Sequence, residues 1–172
     1  MIQRAFSQSM SSTAAKPKVI NHRSSKTAEQ LYFLFQNAYR QEAKLIGKAA
    51  LSYFRPLQRD AAKIRLAPSR MLGIETARGE VLAAIEVIEP GASQAWCLID
   101  GLCVAPNAQR QGFASMMLQA VIDMYAERGL ALRVNVAKAN NPALALYDRF
   151  QFRLIRSLTQ HGVELFQLER TP

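Results

Sequence analysis

The stretch that decides the fold runs from Val104 to Ala114 and reads Val-Ala-Pro-Asn-Ala-Gln-Arg-Gln-Gly-Phe-Ala. An apolar, strand-like segment leads into it, and an amphipathic helix follows it. The first turn of a helix carries unpaired N–H groups and a partial positive charge, so it binds anions well. Gly112 and Ala114 leave the backbone accessible, and Arg110 adds a full positive charge. The sequence predicts a phosphate-binding turn here, and a turn that serves only tight packing is the alternative.

This turn matches neither of two common nucleotide-binding motifs. The dinucleotide fingerprint has three glycines, and the second of them has no counterpart in this chain. A P-loop requires Gly-Lys-Ser or Gly-Lys-Thr, whereas Gly112 is followed by Phe113. The phosphate that the turn would bind therefore belongs to another class of ligand.

A second motif lies about 30 residues further along the chain. It reads Asn-Asn-Pro-Ala-Leu-Ala-Leu-Tyr over residues 140–147 and is followed by Gln151 and Phe152. The pattern predicts a short helix over Pro142–Phe150, with Asn141 as its N-cap and proline at its first position.

The two motifs together resemble the GNAT family of N-acetyltransferases. That family carries Gln/Arg-x-x-Gly-x-Gly/Ala at a strand–helix junction and, later, Asn-x-x-Ala-x-x-Leu-Tyr followed by Gly-Phe. The matching residues are Gln109, Gly112 and Ala114 in the first motif and Asn140, Ala143, Leu146, Tyr147 and Phe152 in the second. Gln151 stands where the family usually has glycine, which costs about 1 kcal/mol if this position is left-handed. The specific part of the resemblance covers residues 99–152.

The resemblance implies a single-domain α/β (α+β) fold of the acyl-CoA N-acyltransferase type. Its mixed, twisted central sheet of about 6–7 strands is flanked by helices, and the residue patterns predict the order β-α-α-β-β-β-α-β-α-β-β. We expect a flexible N-terminal tail at 1–16, with a transit peptide as the alternative, and the acetyltransferase domain at 17–172. The main helices are predicted over Lys26–Ile46, with Thr27 as N-cap, and over Gly112–Arg128. Gly101, inside a predicted strand over Ala95–Val104, indicates a bulge.

Composition excludes several classes of protein. The net charge is +9, of which residues 1–28 hold five basic residues and no acid. The basic residues lack interleaved aromatic side chains, so no nucleic acid is expected as a partner. No apolar run is long enough to span a membrane, and no membrane partner is expected. Cys97 and Cys103 are too far apart on one strand for a disulfide, and no metal site is expected. These features predict a cytoplasmic protein.

The resemblance names acetyl-CoA (coenzyme A) as the cofactor and implies how it is held. Its pyrophosphate would accept hydrogen bonds from the backbone of a run that consists of Gln109, Arg110, Gln111, Gly112, Phe113 and Ala114. Leu102 and Val104 would pair with the pantetheine arm like an added strand. Asn140 would either contact the cofactor arm or cap the last helix, and the sequence leaves both readings open.

The resemblance also implies that Tyr147 is the general acid that protonates the leaving thiolate. The alternative for Tyr147 is a packing role on an amphipathic helix. A covalent route through Cys97 or Cys103 has little support, because neither has a histidine beside it in a motif.

Asp100 is the expected general base. Strand alternation puts it on the same face as Leu98 and Leu102, and apolar neighbours raise the pKa of a carboxyl group. Glu86 and Glu75, on neighbouring strands, are alternatives. A water molecule acting as proton relay would make a single base unnecessary.

The expected activity is the transfer of an acetyl group from acetyl-CoA to a primary amine by direct attack within a ternary complex. The acceptor is an unidentified small molecule or protein. The alternative function is a catalytically inactive module that binds or senses acetyl-CoA. The sequence leaves a homodimer open.

Overall fold

The predicted element order is present in the computed structural model, which describes residues 16–47, 54–91 and 93–172. The predicted tail therefore lies almost entirely outside the described residues. The strands are β1 (Lys18–Val19), β2 (Arg70–Glu75), β3 (Val81–Ile88), β4 (Trp96–Val104), β5 (Ala131–Ala137), β6 (Arg153–Gln160) and β7 (Val163–Arg170). The helices are α1 (Ser25–Ile46), α2 (Ala61–Arg65), α3 (Phe113–Ala126) and α4 (Asn141–Arg149), with 3-10 turns at Arg55–Gln58 and Pro106–Ala108.

The strands form one mixed seven-stranded sheet in the order β1-β2-β3-β4-β5-β7-β6. Strands β4 and β5 are parallel because α3 connects them as a crossover, and the other neighbours are antiparallel. The β6–β7 connection is the tight turn His161-Gly162, in which both residues have positive φ angles of 48° and 77°. The fold class expected from the sequence is confirmed.

Each face of the sheet is covered by different helices. Helix α1 buries Leu31 and Phe35 against one face, in a cluster that includes Ile64 of α2. Helix α3 buries Met117 and Val121 against the other face, and α4 packs on that same side. Both helices have apolar residues at three- and four-residue spacing, which is the pattern that favours packing on a sheet. Among the described residues, no helix is both long and apolar enough to cross a membrane.

A β-bulge interrupts β4 at Asp100. Glu86 of β3 pairs with Gly101, but the next residue of β3, Val87, pairs with Ile99, so Asp100 is an extra residue. The bulge reverses the alternation of side chains. Ile99 packs in the cluster under α3, whereas Cys103 packs in the cluster under α1. The prediction that Asp100, Leu98 and Leu102 share one face is therefore wrong, because it assumed an unbroken period of two.

Gly101 is required by the close approach of α1 to the bulge. A Cβ atom on Gly101 would lie 2.6 Å from the hydroxyl oxygen of Tyr39. That hydroxyl donates to the carbonyl oxygen of Asp100 at 3.4 Å, and its ring packs against Phe54 with centroids 4.8 Å apart. Tyr39 is therefore held on both sides, and any residue larger than glycine at position 101 forces it to move.

The N-caps predicted for α1 and α4 differ by one or more residues from those in the structure. Helix α1 begins after Ser24, not at Thr27, and Ala28 N–H donates to the Ser24 carbonyl at 2.9 Å. Helix α4 begins after Asn140, not Asn141, because the Asn140 side chain accepts from the backbone of Ala143. At the end of α4, Gln151 has a φ of 63°, the left-handed conformation that usually selects glycine.

We expect Gly101→Ala to destabilise the fold by roughly 1–3 kcal/mol, because the new methyl group overlaps the Tyr39 hydroxyl. Adding Tyr39→Phe to the same chain removes that oxygen and should restore most of the loss. Denaturant unfolding of the two single variants and the double variant measures the coupling. Strictly additive effects would show that the two residues do not meet.

Glu89 joins the end of β3 to neighbouring elements. Its carboxylate accepts hydrogen bonds from Arg70 at 3.0 Å, Arg128 at 2.6 Å and the Tyr125 hydroxyl at 3.0 Å. The hydrogen bond from Arg70, followed by those from Arg128 and Tyr125, lowers the pKa of Glu89 to about 2, although partial burial opposes this. The ionised carboxylate is thus favoured by folding.

The free energy of unfolding should consequently fall as the pH is lowered through the range in which Glu89 becomes protonated. A carboxyl group with a lowered folded-state pKa contributes above its unfolded pKa of 4.5, and the contribution is lost as the pH falls towards about 2. Unfolding free energies measured across this window should drop less steeply for Glu89→Gln than for the native chain. The exposed Glu80→Gln variant should retain the native slope, and equal slopes for all three proteins would contradict the assignment.

Candidate active site

A cavity of about 400 Å³ opens where β4 and β5 diverge. The two strands pair only from Trp96 with Ala131 to Ile99 with Val134, and both continue beyond the last pair. The bulge at Asp100 comes directly after Ile99, which explains why pairing stops there. The wall comprises Tyr39, Glu42, Phe54, Leu98, Ile99, Asp100, Gly101, Leu102, Ala114, Val134, Asn135, Val136, Ala137, Asn140, Ala143, Leu146, Tyr147, Gln160 and His161. We call this space the central cavity.

The turn at residues 109–115 leads from β4 into α3 and borders the central cavity at Ala114. Arg110 and Gly112 have positive φ angles of 63° and 83°, and Gln111 between them does not. Such alternation points successive N–H groups towards one side and forms a cradle for an anion. The backbone N–H groups from Gln111 to Ser115 donate to no acceptor among the described residues. The predicted phosphate turn therefore has the geometry of an anion-binding site.

Side chains hold this turn in place. Gln109 donates through Nε2 to the Val104 carbonyl at 3.4 Å and to Gln41 of α1 at 3.1 Å. Gln111 donates to the Asn107 carbonyl at 3.2 Å. A Cβ atom at Gly112 would meet nothing within 4 Å, so lack of space is not the reason for glycine at this position. Glycine is needed because the backbone there is left-handed, a conformation that other residues rarely adopt. We expected its small size to matter for anion approach, and the structure adds this conformational reason.

The residues expected to contact the pantetheine arm lie on the part of β4 beyond its last pair with β5. Leu102 forms part of the cavity wall, whereas Val104 lies beyond it. Both side chains are half-buried and pack towards the α3 side. The side chain of Phe113 also packs on that side, so this residue offers the turn its backbone N–H group.

Asn140 caps α4 and lies in the cavity wall. Its Oδ1 accepts from Ala143 N–H at 3.1 Å, and its Nδ2 donates to Glu42 Oε1 at 2.6 Å. The capping reading of Asn140 therefore holds in the structure, and its position leaves the amide beside the space for a ligand. The contact with α1 is a feature that the sequence did not reveal.

Tyr147 lies on the cavity side of α4 with only 4% of its surface exposed. Its ring packs edge-on against Phe152 at 5.1 Å between centroids. No hydrogen bond to its hydroxyl is formed by the described residues. Burial, followed by the nearby negative charge of Glu42, raises the pKa of Tyr147, so the phenol stays protonated at neutral pH.

Of the three predicted base candidates, only Asp100 borders the central cavity. Glu75 forms an ion pair with Lys18 at 2.7 Å at the β1–β2 edge. Glu86 is 2% exposed and accepts from Arg59 at 2.9 Å and from the Ser69 hydroxyl at 2.6 Å. Burial would raise the pKa of Glu86, but the hydrogen bonds and charge of Arg59 outweigh it and lower the pKa.

Glu42 is a cavity carboxylate that the sequence analysis missed. It lies on α1 three residues after Tyr39, on the side of the helix that faces the sheet. Burial raises the pKa of Glu42, and the hydrogen bond from Asn140 only partly offsets this. Glu42 is half-buried and follows Tyr39 at the three-residue spacing of the apolar stripe of α1. This interruption of the stripe was the available signal, because such positions normally hold apolar side chains.

The two cysteines do not provide a nucleophile. Burial raises the pKa of both thiols, and the charge of Glu42 raises that of Cys103 further. A thiol with a raised pKa is a poor nucleophile at neutral pH. Within residues 16–47, 54–91 and 93–172, no group of three or more His, Cys, Asp or Glu side chains is arranged to hold a metal ion.

Known structures share this architecture at low sequence identity. A ribosomal-protein-S18-alanine N-acetyltransferase from Escherichia coli is 17% identical, with a TM-score of 0.63 over 91% of this chain and 93% of that chain. A GCN5-related N-acetyltransferase from Kribbella flavida is 20% identical, with a TM-score of 0.68 over 91% and 98%. An N-acetyltransferase from Staphylococcus aureus Mu50 is 18% identical, with a TM-score of 0.69 over 91% and 98%. These similarities concern the fold.

The sequence itself identifies the family. No curated protein sequence matches the chain. The model of the acetyltransferase (GNAT) family, however, matches residues 21–152, which include the 109–115 turn and the whole of α4. The chain therefore belongs to the GNAT family of acetyltransferases.

Proposed function

We propose that this protein binds acetyl-CoA and transfers its acetyl group to a primary amine within a ternary complex. The observation that carries the proposal is the continuity of three features around one cavity. The 109–115 turn offers unpaired N–H groups, the divergent strands leave a slot beside β4, and the Tyr147 hydroxyl stands at the α4 wall. A thioester with a pyrophosphate-bearing tail fits this sequence of anion cradle, extended slot and proton donor.

The cofactor-binding part of the proposal follows the chain from the turn to β4. The backbone N–H groups of Gln111 to Ser115 receive the pyrophosphate, and exposed Arg110 adds charge at the same turn. Gln109 braces the turn through its side chain. Leu102 and its neighbours on β4 pair with the pantetheine arm, since β5 leaves that edge unpaired beyond Ile99.

The chemical part assigns the protons. Acetyl-CoA supplies the thioester whose acetyl group moves to the amine. An ammonium group must lose a proton before its nitrogen can attack, and the carboxylates of Asp100 and Glu42 both border the cavity where this happens. Tyr147 donates its hydroxyl proton to the departing sulfur and regains one that the attacking nitrogen releases. Backbone N–H groups at the strand divergence stabilise the charge that develops on the carbonyl oxygen.

The cofactor assignment predicts the effect of Gly112→Val. A β-branched residue cannot keep the left-handed backbone, so the N–H groups lose their alignment and acetyl-CoA affinity should fall roughly ten- to a hundredfold. Calorimetric titration measures this, with acetyl-pantetheine as the ligand that lacks the pyrophosphate. Gly79→Val is the matched control, because Gly79 has a similar φ of 77° in the β2–β3 turn away from the cavity. Equal affinities for both variants would remove the pyrophosphate site.

The acid assignment predicts the effect of Tyr147→Phe. Turnover should fall on the order of 100-fold while acetyl-CoA affinity stays unchanged, because only the proton donor is lost. Release of the coenzyme A thiol, with butylamine, 1,4-diaminobutane and 4-aminobutanoate as acceptors, reports turnover. Tyr125→Phe removes the hydroxyl of a buried tyrosine on α3, which donates to Glu89 and lies outside the cavity wall, and serves as control. Unchanged turnover in Tyr147→Phe would refute the acid role, and tight binding without turnover in the native chain would favour the inactive binding module.

A further inference from the structure

Glu42 reaches the central cavity through the gap between β4 and β5. It belongs to α1, which packs on one face of the sheet, yet it contacts Asn140 at the start of α4, which packs on the other face. Its charge contributes to raising the pKa of both Tyr39 and Tyr147, after the larger effect of burial. The carboxylate therefore lies among the cavity's proton-bearing side chains.

The orientation of the Glu42 carboxylate is fixed by the cap of α4. Only the oxygen of the Asn140 amide can accept from Ala143 N–H, so its nitrogen must point towards Glu42. One carboxylate oxygen, Oε1, is thus engaged at 2.6 Å. The other oxygen makes no hydrogen bond with the described residues. Glu42 is consequently anchored at one oxygen and open to a ligand at the other.

The two cavity carboxylates differ in their neighbours. Burial tends to lower the pKa of Arg59, but the hydrogen bonds and charge of Glu86, followed by the charge of Asp100, raise it. Asp100 therefore lies close enough to Arg59 for its charge to raise the pKa of that guanidinium. Glu42 forms no ion pair with a Lys or Arg among the described residues. Within the same part of the chain, no Lys or Arg borders the central cavity, and the titratable wall residues besides the two carboxylates are Tyr39, Tyr147 and His161. Glu42 is therefore the cavity carboxylate whose charge no Lys or Arg side chain of the described residues offsets, and it can accept a proton from an ammonium group that enters the cavity.

We propose that Glu42 receives the ammonium group of the acceptor and takes its proton, and that Asn140 positions the carboxylate for this step. The assignment rests on the acetyl transfer proposed above and gives Asp100 a different task. As a second carboxylate in the same wall, Asp100 helps to attract the cationic acceptor into the cavity. Cationic amines without a carboxylate near the reacting nitrogen are the acceptor class that such a wall favours.

The protons balance as follows. The ammonium gives one proton to Glu42, and the nitrogen lone pair then forms the bond to the acetyl carbon. The carbon–sulfur bond breaks, and the sulfur takes the Tyr147 proton while Tyr147 recovers the second proton of the nitrogen. Glu42 finally releases its proton to solvent, so that one amide, one thiol and one proton are formed.

A titration experiment tests whether Glu42 receives the ammonium. The full chain is labelled with ¹³C at the glutamate Cδ atoms and saturated with coenzyme A, which binds without reacting. The Glu42 signal is the one that Glu42→Gln removes, and this substitution keeps an oxygen for Asn140. Adding 1,4-diaminobutane should lower its titration midpoint by about one pH unit or more, because a nearby cation favours the carboxylate. An unchanged midpoint would overturn the proposal.

The pH profile of turnover tests whether Glu42 takes the proton. Glu42→Gln should lower the rate about 100-fold and remove the acidic limb of the profile, whereas Asp100→Asn should raise the KM for 1,4-diaminobutane and keep that limb. Asn140→Asp keeps the capping oxygen but loses the donor to Glu42, so the limb should move to higher pH. The exposed Glu29→Gln variant on the same helix should match the native chain. A limb lost in Asp100→Asn and retained in Glu42→Gln would instead make Asp100 the base.

The outcomes separate this inference from the proposed function. Failure of the native chain to bind acetyl-CoA would overturn both. Binding of acetyl-CoA together with an unchanged Glu42 midpoint would overturn only the assignment of Glu42. A lowered midpoint in a chain that binds acetyl-CoA but acetylates none of the three amines would uphold Glu42 as an ammonium site and overturn its role as a base, in agreement with the inactive binding module.

Discussion

The site depends on the point at which β4 and β5 stop pairing. Parallel strands that continued side by side would fill the centre of the sheet with hydrogen bonds and leave no room for a ligand. The extra residue at Asp100 ends the pairing, and the strands then diverge around the central cavity. Because the sheet opens there, side chains from helices on opposite faces meet in the same space. Tyr147, Asn140 and Glu42 come together only for this reason.

Gly101 and Tyr39 make this opening specific to one position. A sheet tolerates a bulge at many places, but α1 approaches the bulge closely enough that its tyrosine occupies the space of a missing side chain. The hydroxyl of Tyr39 then donates to the carbonyl of Asp100. The helix thereby fixes the bulge, and the same helix carries Glu42 in the cavity wall three residues after Tyr39. Packing and polar geometry are coupled through these few contacts.

Local patterns predicted the order of helices and strands and the 109–115 turn, because each depends on residues that are near in sequence. The fold type and the role expected of Tyr147 came from the family resemblance. The face of Asp100 was predicted wrongly, since one inserted residue reverses every later side chain and the inserted residue cannot be located from alternation alone. Glu42 was missed because its importance comes from Asn140, almost a hundred residues away in the chain. An acidic residue that interrupts an apolar stripe indicates a half-buried position, but it does not reveal which distant residue it contacts.

The surface and the cavity have opposite charge character. The chain carries a net +9, yet the described cavity wall contains two carboxylates and neither lysine nor arginine. The excess positive charge therefore does not describe the environment of a bound amine. Net charge reflects the average surface, whereas the cavity is shaped by a few residues, which limits what total charge reveals about a ligand.

Asn140 also links the distance between α1 and α4 to the proton affinity of Glu42. The oxygen of its side-chain amide caps α4, and the nitrogen donates a hydrogen bond to the carboxylate of Glu42 on α1, across the gap in the sheet. A ligand that wedges the helices apart would stretch the second bond first, because the capping bond moves together with α4. The carboxylate would then lose its neutral donor and bind a proton more tightly. The separation of α1 from α4 and the proton affinity of Glu42 would thus change together, because one amide side chain links the two.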